Sequence, residues 1–234
     1  MIYLADISGC GEEDLQSVCM ARKEYAAKYK TERDRVRSLG AACLLGIALK
    51  TEGYTGRTDV EILHDEAQKP YLTDPALRDV CFSLSHAKDY VAVALAKVPV
   101  GIDIERIRPY QRPLTDRFFC EQEKAYILKR EEEMDLAFTR IWTLKESFLK
   151  VTGTGLSGLN TCAVLPHEGF GGNDGTKDSG NALQMFSYRQ TYDEHTYCGI
   201  IPAAPEGYAL AICIRTDDGT DPEDVKINYV NLKG

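Results

Sequence analysis

Residues 81–105 read CFSLSHAKDYVAVALAKVPVGIDIE, and the division of this stretch decides the fold. Phe82, Leu84 and His86 alternate with serines, Tyr90 to Ala96 runs continuously apolar, and Val100, Ile102 and Ile104 alternate with Gly101, Asp103 and Glu105. Alternation at period two marks a strand with one buried face, and a short unbroken apolar run marks one buried on both. The links AKD and KVP are of hairpin length. Together these features predict three strands paired as an antiparallel meander, with Tyr90–Ala96 in its centre.

Working outward, MIYLADISGC at the start of the chain reads as a first strand, and no basic segment precedes it as in a secretory signal. Asp14 to Lys50 carries helical spacing, first through Leu15, Val18, Cys19 and Arg22, then through Val36, Leu39, Cys43, Gly46 and Ile47. A turn-rich stretch and a strand at Val60–His64 follow. Downstream of the quoted stretch, Thr115 to Glu133 is helical and charged. IWTLKESFLKVTG (141–153) then echoes the apolar rhythm of RVRSLGAACLLGIA (35–48), and GYALAICI (207–214) echoes DYVAVALA (89–96). The echoes occur at similar offsets, with Pro109 and Pro113 near the crossing. They predict the α+β class, as two related halves spanning 1–106 and 107–234. EGFGGNDGTKDSGN (168–181) reads as a mobile loop, and no G-K-[ST] follows its glycines to make it a phosphate loop.

The chain has 234 residues, 44% hydrophobic and 27% charged, which describes a globular protein with room for a substantial core. The longest apolar run is strand-sized, so no membrane span is expected. A net charge of −8 argues against nucleic acid as the main partner. The eight cysteines are spread without a C-x-x-C pair, most of them among apolar neighbours. They read as reduced, buried thiols of a cytoplasmic protein rather than a zinc site or a disulfide framework.

Asp103 and Glu105 stand two apart on one strand, so they share a face at a spacing of about 6.6–6.8 Å. Either they form a solvated strand end neutralised by Arg106 and Arg108, or they hold magnesium, which takes oxygen ligands and leaves positions for phosphate. Glu146 and Lys150 share a helix face four residues apart, with Lys145 just before them. They are either a surface ion pair, or a third carboxylate beside lysines that meet phosphate oxygens. Trp142, Leu144, Phe148 and Leu149 surround them with bulk, as on a packed helix. Ser85 lacks the G-x-S-x-G elbow, and no nucleophilic triad is evident. Arg22, Lys23, Lys28, Lys30 and Arg37 gather in the N-terminal helices, by default a solvated face.

Taken in order, QKPYL (68–72), FSLSHA (82–87), VGIDIE (100–105) and WTLKESFLKVTGTGL (142–156) resemble the Sfp-type 4′-phosphopantetheinyl transferases, over about Arg22 to Leu156. The resemblance implies a pseudo-twofold pair of α+β halves, each an antiparallel sheet packed with helices, with the active site between them. It implies transfer of the 4′-phosphopantetheine of coenzyme A to a serine of an apo acyl or peptidyl carrier protein. Asp103, Glu105 and Glu146 would hold Mg2+; Lys145 and Lys150 would contact phosphates, and Glu146 would act as base. Arg37 and His86, helped by Arg22, would meet the 3′-phosphate, and Lys69, Pro70 and Ser85 would line the nucleotide pocket. Glu123 matches a further acid near the site. The first half would take the nucleotide end of coenzyme A. The second would carry the Glu146/Lys150 helix and meet the carrier protein along Ile107 to Phe119, the whole working as a monomer. The chain departs from the family pattern at Ser83, usually Asn, at Ala87, usually Ser, and at Tyr25, where relatives carry a basic residue. Two other activities share parts of the pattern: a non-catalytic binder of coenzyme A or carrier protein, and another magnesium phosphotransferase or nucleotidase.

Overall fold

The first strand, β1 (Ile2–Asp6), is buried from Ile2 to Ala5. The computed structural model to which it belongs describes residues 1–65, 69–160, 162–164, 186–217 and 225–233. A short helix α1 (Met20–Ala26) precedes α2 (Glu32–Thr51), which begins where Thr31 Oγ1 accepts the Asp34 N–H at 3.1 Å. Strands β2 (Ile62–His64) and β3 (Pro70–Leu72) pair as a separate ribbon. Then come β4 (Cys81–Ala87), β5 (Tyr90–Ala96) and β6 (Val100–Arg106), followed by helices α3 (Arg112–Phe118), α4 (Glu121–Leu128) and α5 (Met134–Thr152). β7 (Phe186–Tyr192), β8 (His195–Ile201), β9 (Tyr208–Arg215) and β10 (Ile227–Tyr229) complete the chain's strands among the described residues.

The chain divides into two compact units, Met1–Val100 with Asp224–Gly234, and Gly101–Glu223. The expected boundary was 106/107; the observed crossing falls at the start of β6, and the C-terminal segment returns to the first unit. In the first unit the strand order is β10-β1-β5-β4, with α2 packed on β5, β1 and β4. β1 and β4 both run antiparallel to β5, whereas β10 runs parallel to β1. In the second unit the order is β6-β9-β8-β7, with α5 packed on β9 and β8. Each unit therefore has a first strand, a long helix, and a hairpin whose second strand pairs with the first. The architecture is α+β.

The three-strand meander expected over 81–105 is corrected by this topology. β4 and β5 form a hairpin, with Lys88 at φ 48° in the turn, but β6 pairs with β9 instead. The reason is occupancy: both edges of β5 are taken, one by β4 and the other by β1. The helix expected from Asp14 is also shorter. Leu15 and Val18 are buried, yet they precede α1, so packing of an irregular segment supplies their apolar spacing. The glycine-rich 168–181 stretch lies outside the described residues. Cys10, Cys43, Cys162, Cys198 and Cys213 are buried, and Cys19, Cys81 and Cys120 are half-buried. No helix among the described residues is long and apolar enough to cross a membrane.

Candidate active site

β6 and α5 set the geometry. Gly101 is the residue that lets them approach: a Cβ there would lie 2.0 Å from Ser147 O of α5. α5 is anchored by Phe138, Ile141, Leu144 and Phe148, all essentially fully buried, each contributing about 1.5–3 kcal/mol of apolar burial. It stops at Gly153, whose φ of 73° and N–H donated to Leu149 O at 2.8 Å close the helix end. On β6, Ile102 and Ile104 are buried on one face, and the intervening acids are directed to the other.

Asp103 is 5% exposed, and its Oδ1 accepts a hydrogen bond from Lys150 Nζ at 2.7 Å. The same ammonium donates to Ile102 O at 3.0 Å. Glu105 and Glu146 are half-buried. Burial, then the charge of Asp103, raises the Glu105 carboxyl above the ordinary range. The same two causes, in the same order, push Glu146 up to about 7, against the pull of Lys150 and Arg108. Three carboxylates and two cations thus share one electrostatic field within the second unit. The chemistry of this set fits a divalent cation: carboxylates placed together repel unless positive charge stands among them. In position, Asp103 is paired with an ammonium, and among the described residues no three His, Cys, Asp or Glu side chains stand as ligands of one metal ion would.

Lys145 is not where a phosphate contact needs it. The side chain is wholly enclosed, with Nζ 3.0 Å from Glu123 Oε1 and hydrogen bonds to Leu159 O at 3.2 Å and Cys162 O at 2.5 Å. Glu123 is equally buried; it accepts the Cys120 N–H at 2.8 Å, capping α4, and the Val164 N–H at 2.7 Å. The pair therefore joins α4 and α5 to Leu159, Cys162 and Val164, and it commits the Lys145 ammonium, expected to contact phosphate, to protein partners. Phe119, which could either meet the carrier or fill the core, is a core residue, stacked on Phe138 at 5.7 Å. Tyr110, Leu114 and Phe118 are half-buried against the same core.

In the first unit Arg22 is 6% exposed, and its Nε and Nη2 both donate to Ser38 O, at 3.3 and 3.1 Å, so it joins α1 to α2 instead of facing a ligand. Arg37 donates to Lys88 O at 2.9 Å and pairs with Asp34 at 2.7 Å. His86 is exposed on β4 and close enough to Asp34 to lower its carboxyl, after the Thr31 hydroxyl and Arg37. Ser85 is buried on the opposite face of β4 from His86, while Lys69 and Pro70 lead into β3, where the Lys69 N–H donates to Asp65 Oδ1 at 2.8 Å. Tyr25 stacks on His64 at 4.9 Å, with Arg22 over its ring.

Residues 99–213 match the family model described as ACPS, the 4′-phosphopantetheinyl transferase superfamily. A Synechocystis relative that carries the family's name is 31% identical over 172 residues, covering 71% of this chain and 68% of its own. The chain belongs to the 4′-phosphopantetheinyl transferase superfamily. As a member of that superfamily it is a transferase. A 4′-phosphopantetheinyl transferase of Bacillus subtilis is 29% identical over 229 residues, covering 96% of this chain and 95% of its own. The crystal structure of Thermotoga maritima holo-[acyl-carrier-protein] synthase aligns with 21% identity over 50% of this chain and 62% of that one. Its TM-score is 0.32, too low to argue from. The matched residues 99–213 take in all of β6 and α5. Two features of this transferase were not visible in its sequence: the buried Glu123–Lys145 pair, whose partners are remote in the chain, and the shelf that Trp142 offers to Arg108.

Proposed function

We propose that the chain moves the 4′-phosphopantetheine of coenzyme A onto a serine of an apo acyl or peptidyl carrier protein, with Asp103, Glu105 and Glu146 holding Mg2+. The observation that carries this reading is the gathering of acids from β6 and α5 in one field, with Lys150 Nζ 2.7 Å from Asp103 Oδ1. Bound magnesium would offset the charge of the coenzyme A diphosphate and of the leaving group. In this reading Glu146 also accepts the serine hydroxyl proton. The serine oxygen bonds to the β-phosphorus, the bond from that phosphorus to the bridging oxygen breaks, and 3′,5′-ADP leaves with the electron pair. Lys150 supplies positive charge beside the acids as negative charge builds.

In this reading Arg37, Lys69, Pro70, Ser85 and His86 of the first unit line the nucleotide end of coenzyme A. The carrier protein approaches the 107–119 segment, where Leu114 and Phe118 retain exposed surface and Arg112 and Arg117 are exposed cations. The two units are copies of one plan related by a pseudo-twofold, a reading supported by their shared order of strand, long helix and hairpin. The enzyme works as a cytoplasmic monomer.

Incubation with a fluorescent coenzyme A, magnesium and several apo-carrier proteins tests the assignment. Labelled carrier is expected. Binding without labelling would point to a non-catalytic binder, and release of inorganic phosphate to a different phosphotransferase.

A further inference from the structure

The cations around these acids are unequally engaged. Lys145 is enclosed and committed to Glu123 and two carbonyls. Lys150 is held by Asp103 and Ile102 O. Arg108 differs from both. Its guanidinium carbon lies 4.9 Å from the Trp142 ring centre and 5.5 Å from that of Phe138, and its Nε and Nη2 are buried without a hydrogen-bond acceptor among the described residues. Its main chain is fixed independently, through the N–H donated to Thr139 Oγ1 at 3.3 Å.

A buried donor lacking an acceptor costs about 1–3 kcal/mol, more when it is charged. Such exceptions call for an explanation, and an anion that binds there supplies one. Nε and one terminal nitrogen together form the side of the guanidinium plane that grips two oxygens of one anion. The aromatic rings hold that plane in place, so little ordering remains to be done on binding. Its charge acts on Glu105 and Glu146, two of the acids beside which the diphosphate is assigned. Because this edge is enclosed and not on the rim, it suits a small anionic group entering beside the acids better than a side chain of a docked protein.

We propose that Arg108 is a phosphate-binding residue of this site, gripping two oxygens of the coenzyme A diphosphate with its Nε–Nη2 edge, in the place the sequence pattern gives to Lys145. The proposal rests on the transfer reading above. The chain has a single tryptophan, Trp142, so its emission reports directly on this shelf.

The full-length protein is titrated with coenzyme A and, separately, with inorganic pyrophosphate, each with magnesium, reading Trp142 emission and binding heat. Both ligands are expected to shift the emission saturably. Arg108→Ala is expected to weaken coenzyme A binding by about tenfold or more, and Arg108→Lys, which keeps the charge but not the edge, by an intermediate factor. The KM for carrier protein is expected to stay within about twofold. Melting curves and circular dichroism of both variants check the fold. Two results would overturn the proposal: coenzyme A affinity of a folded Arg108→Ala protein within about twofold of the parent, or a loss confined to the KM for carrier. A parent protein that binds coenzyme A through Arg108 yet labels no carrier would leave this residue's role standing and sink the transfer reading instead.

Discussion

Asp103 and Glu146 come from different elements, and removing either carboxylate should stop chemistry without undoing the core. Asp103→Ala and Glu146→Ala are expected to reduce carrier labelling by several orders of magnitude while far-UV circular dichroism is unchanged; normal turnover by either would refute the site. Glu146 also has a signature in pH. Its carboxyl is raised to about 7 from an ordinary value of 4.5, so the folded protein favours the protonated form. The stabilisation this gives is complete below about pH 4.5 and is lost as pH rises through about 7. Glu146→Gln should therefore melt higher than the parent at pH 8, with the gap closing towards pH 5, in the absence of magnesium. Equal differences at both pH values would contradict the raised carboxyl.

At the scale of elements, α5 is held from two directions. The Glu123–Lys145 pair is fully enclosed, so Lys145→Met alone strands a buried carboxylate and is expected to cost about 3–5 kcal/mol in denaturant unfolding. Adding Glu123→Gln, which removes the stranded charge and keeps an acceptor for the Cys120 or Val164 N–H, should recover part of that loss. Gly101→Ala would place a methyl 2.0 Å from Ser147 O and push β6 off the helix, with an expected cost of about 1–3 kcal/mol and a fall in labelling. Much of this was legible beforehand. The apolar runs of β5 and α5 and the alternation around Asp103 and Glu105 are local patterns, and local patterns can be read from one segment. Lys145 was not legible: a lysine among KES residues looks solvated, and only Glu123, remote in sequence and brought near by the turn into α4, makes it a core residue. The partner of β6 was hidden for the same reason, since a three-residue link looks like a hairpin unless β1 is known to hold the other edge of β5.

Across the whole molecule the least legible element is β10, three residues with no alternation to mark them. It pairs in parallel with β1, Ile2 opposite Ile227, and the ladder is tied by Ile2 N–H to Lys226 O and Val230 N–H to Leu4 O, both at 2.8 Å. Deleting residues 225–234 would bare the edge of β1 and remove Leu232 from the first core. A lower melting temperature and concentration-dependent aggregation are expected, measurable by calorimetry and light scattering. The pairing also imposes an order on biosynthesis. A nascent chain cannot finish the first unit's sheet until residue 229 has cleared the ribosome, so the second unit, continuous from 101 to 223, is the one free to mature first. The part that begins emerging earliest is thus the last to be sealed, and meanwhile the open side of its sheet is available to chaperones.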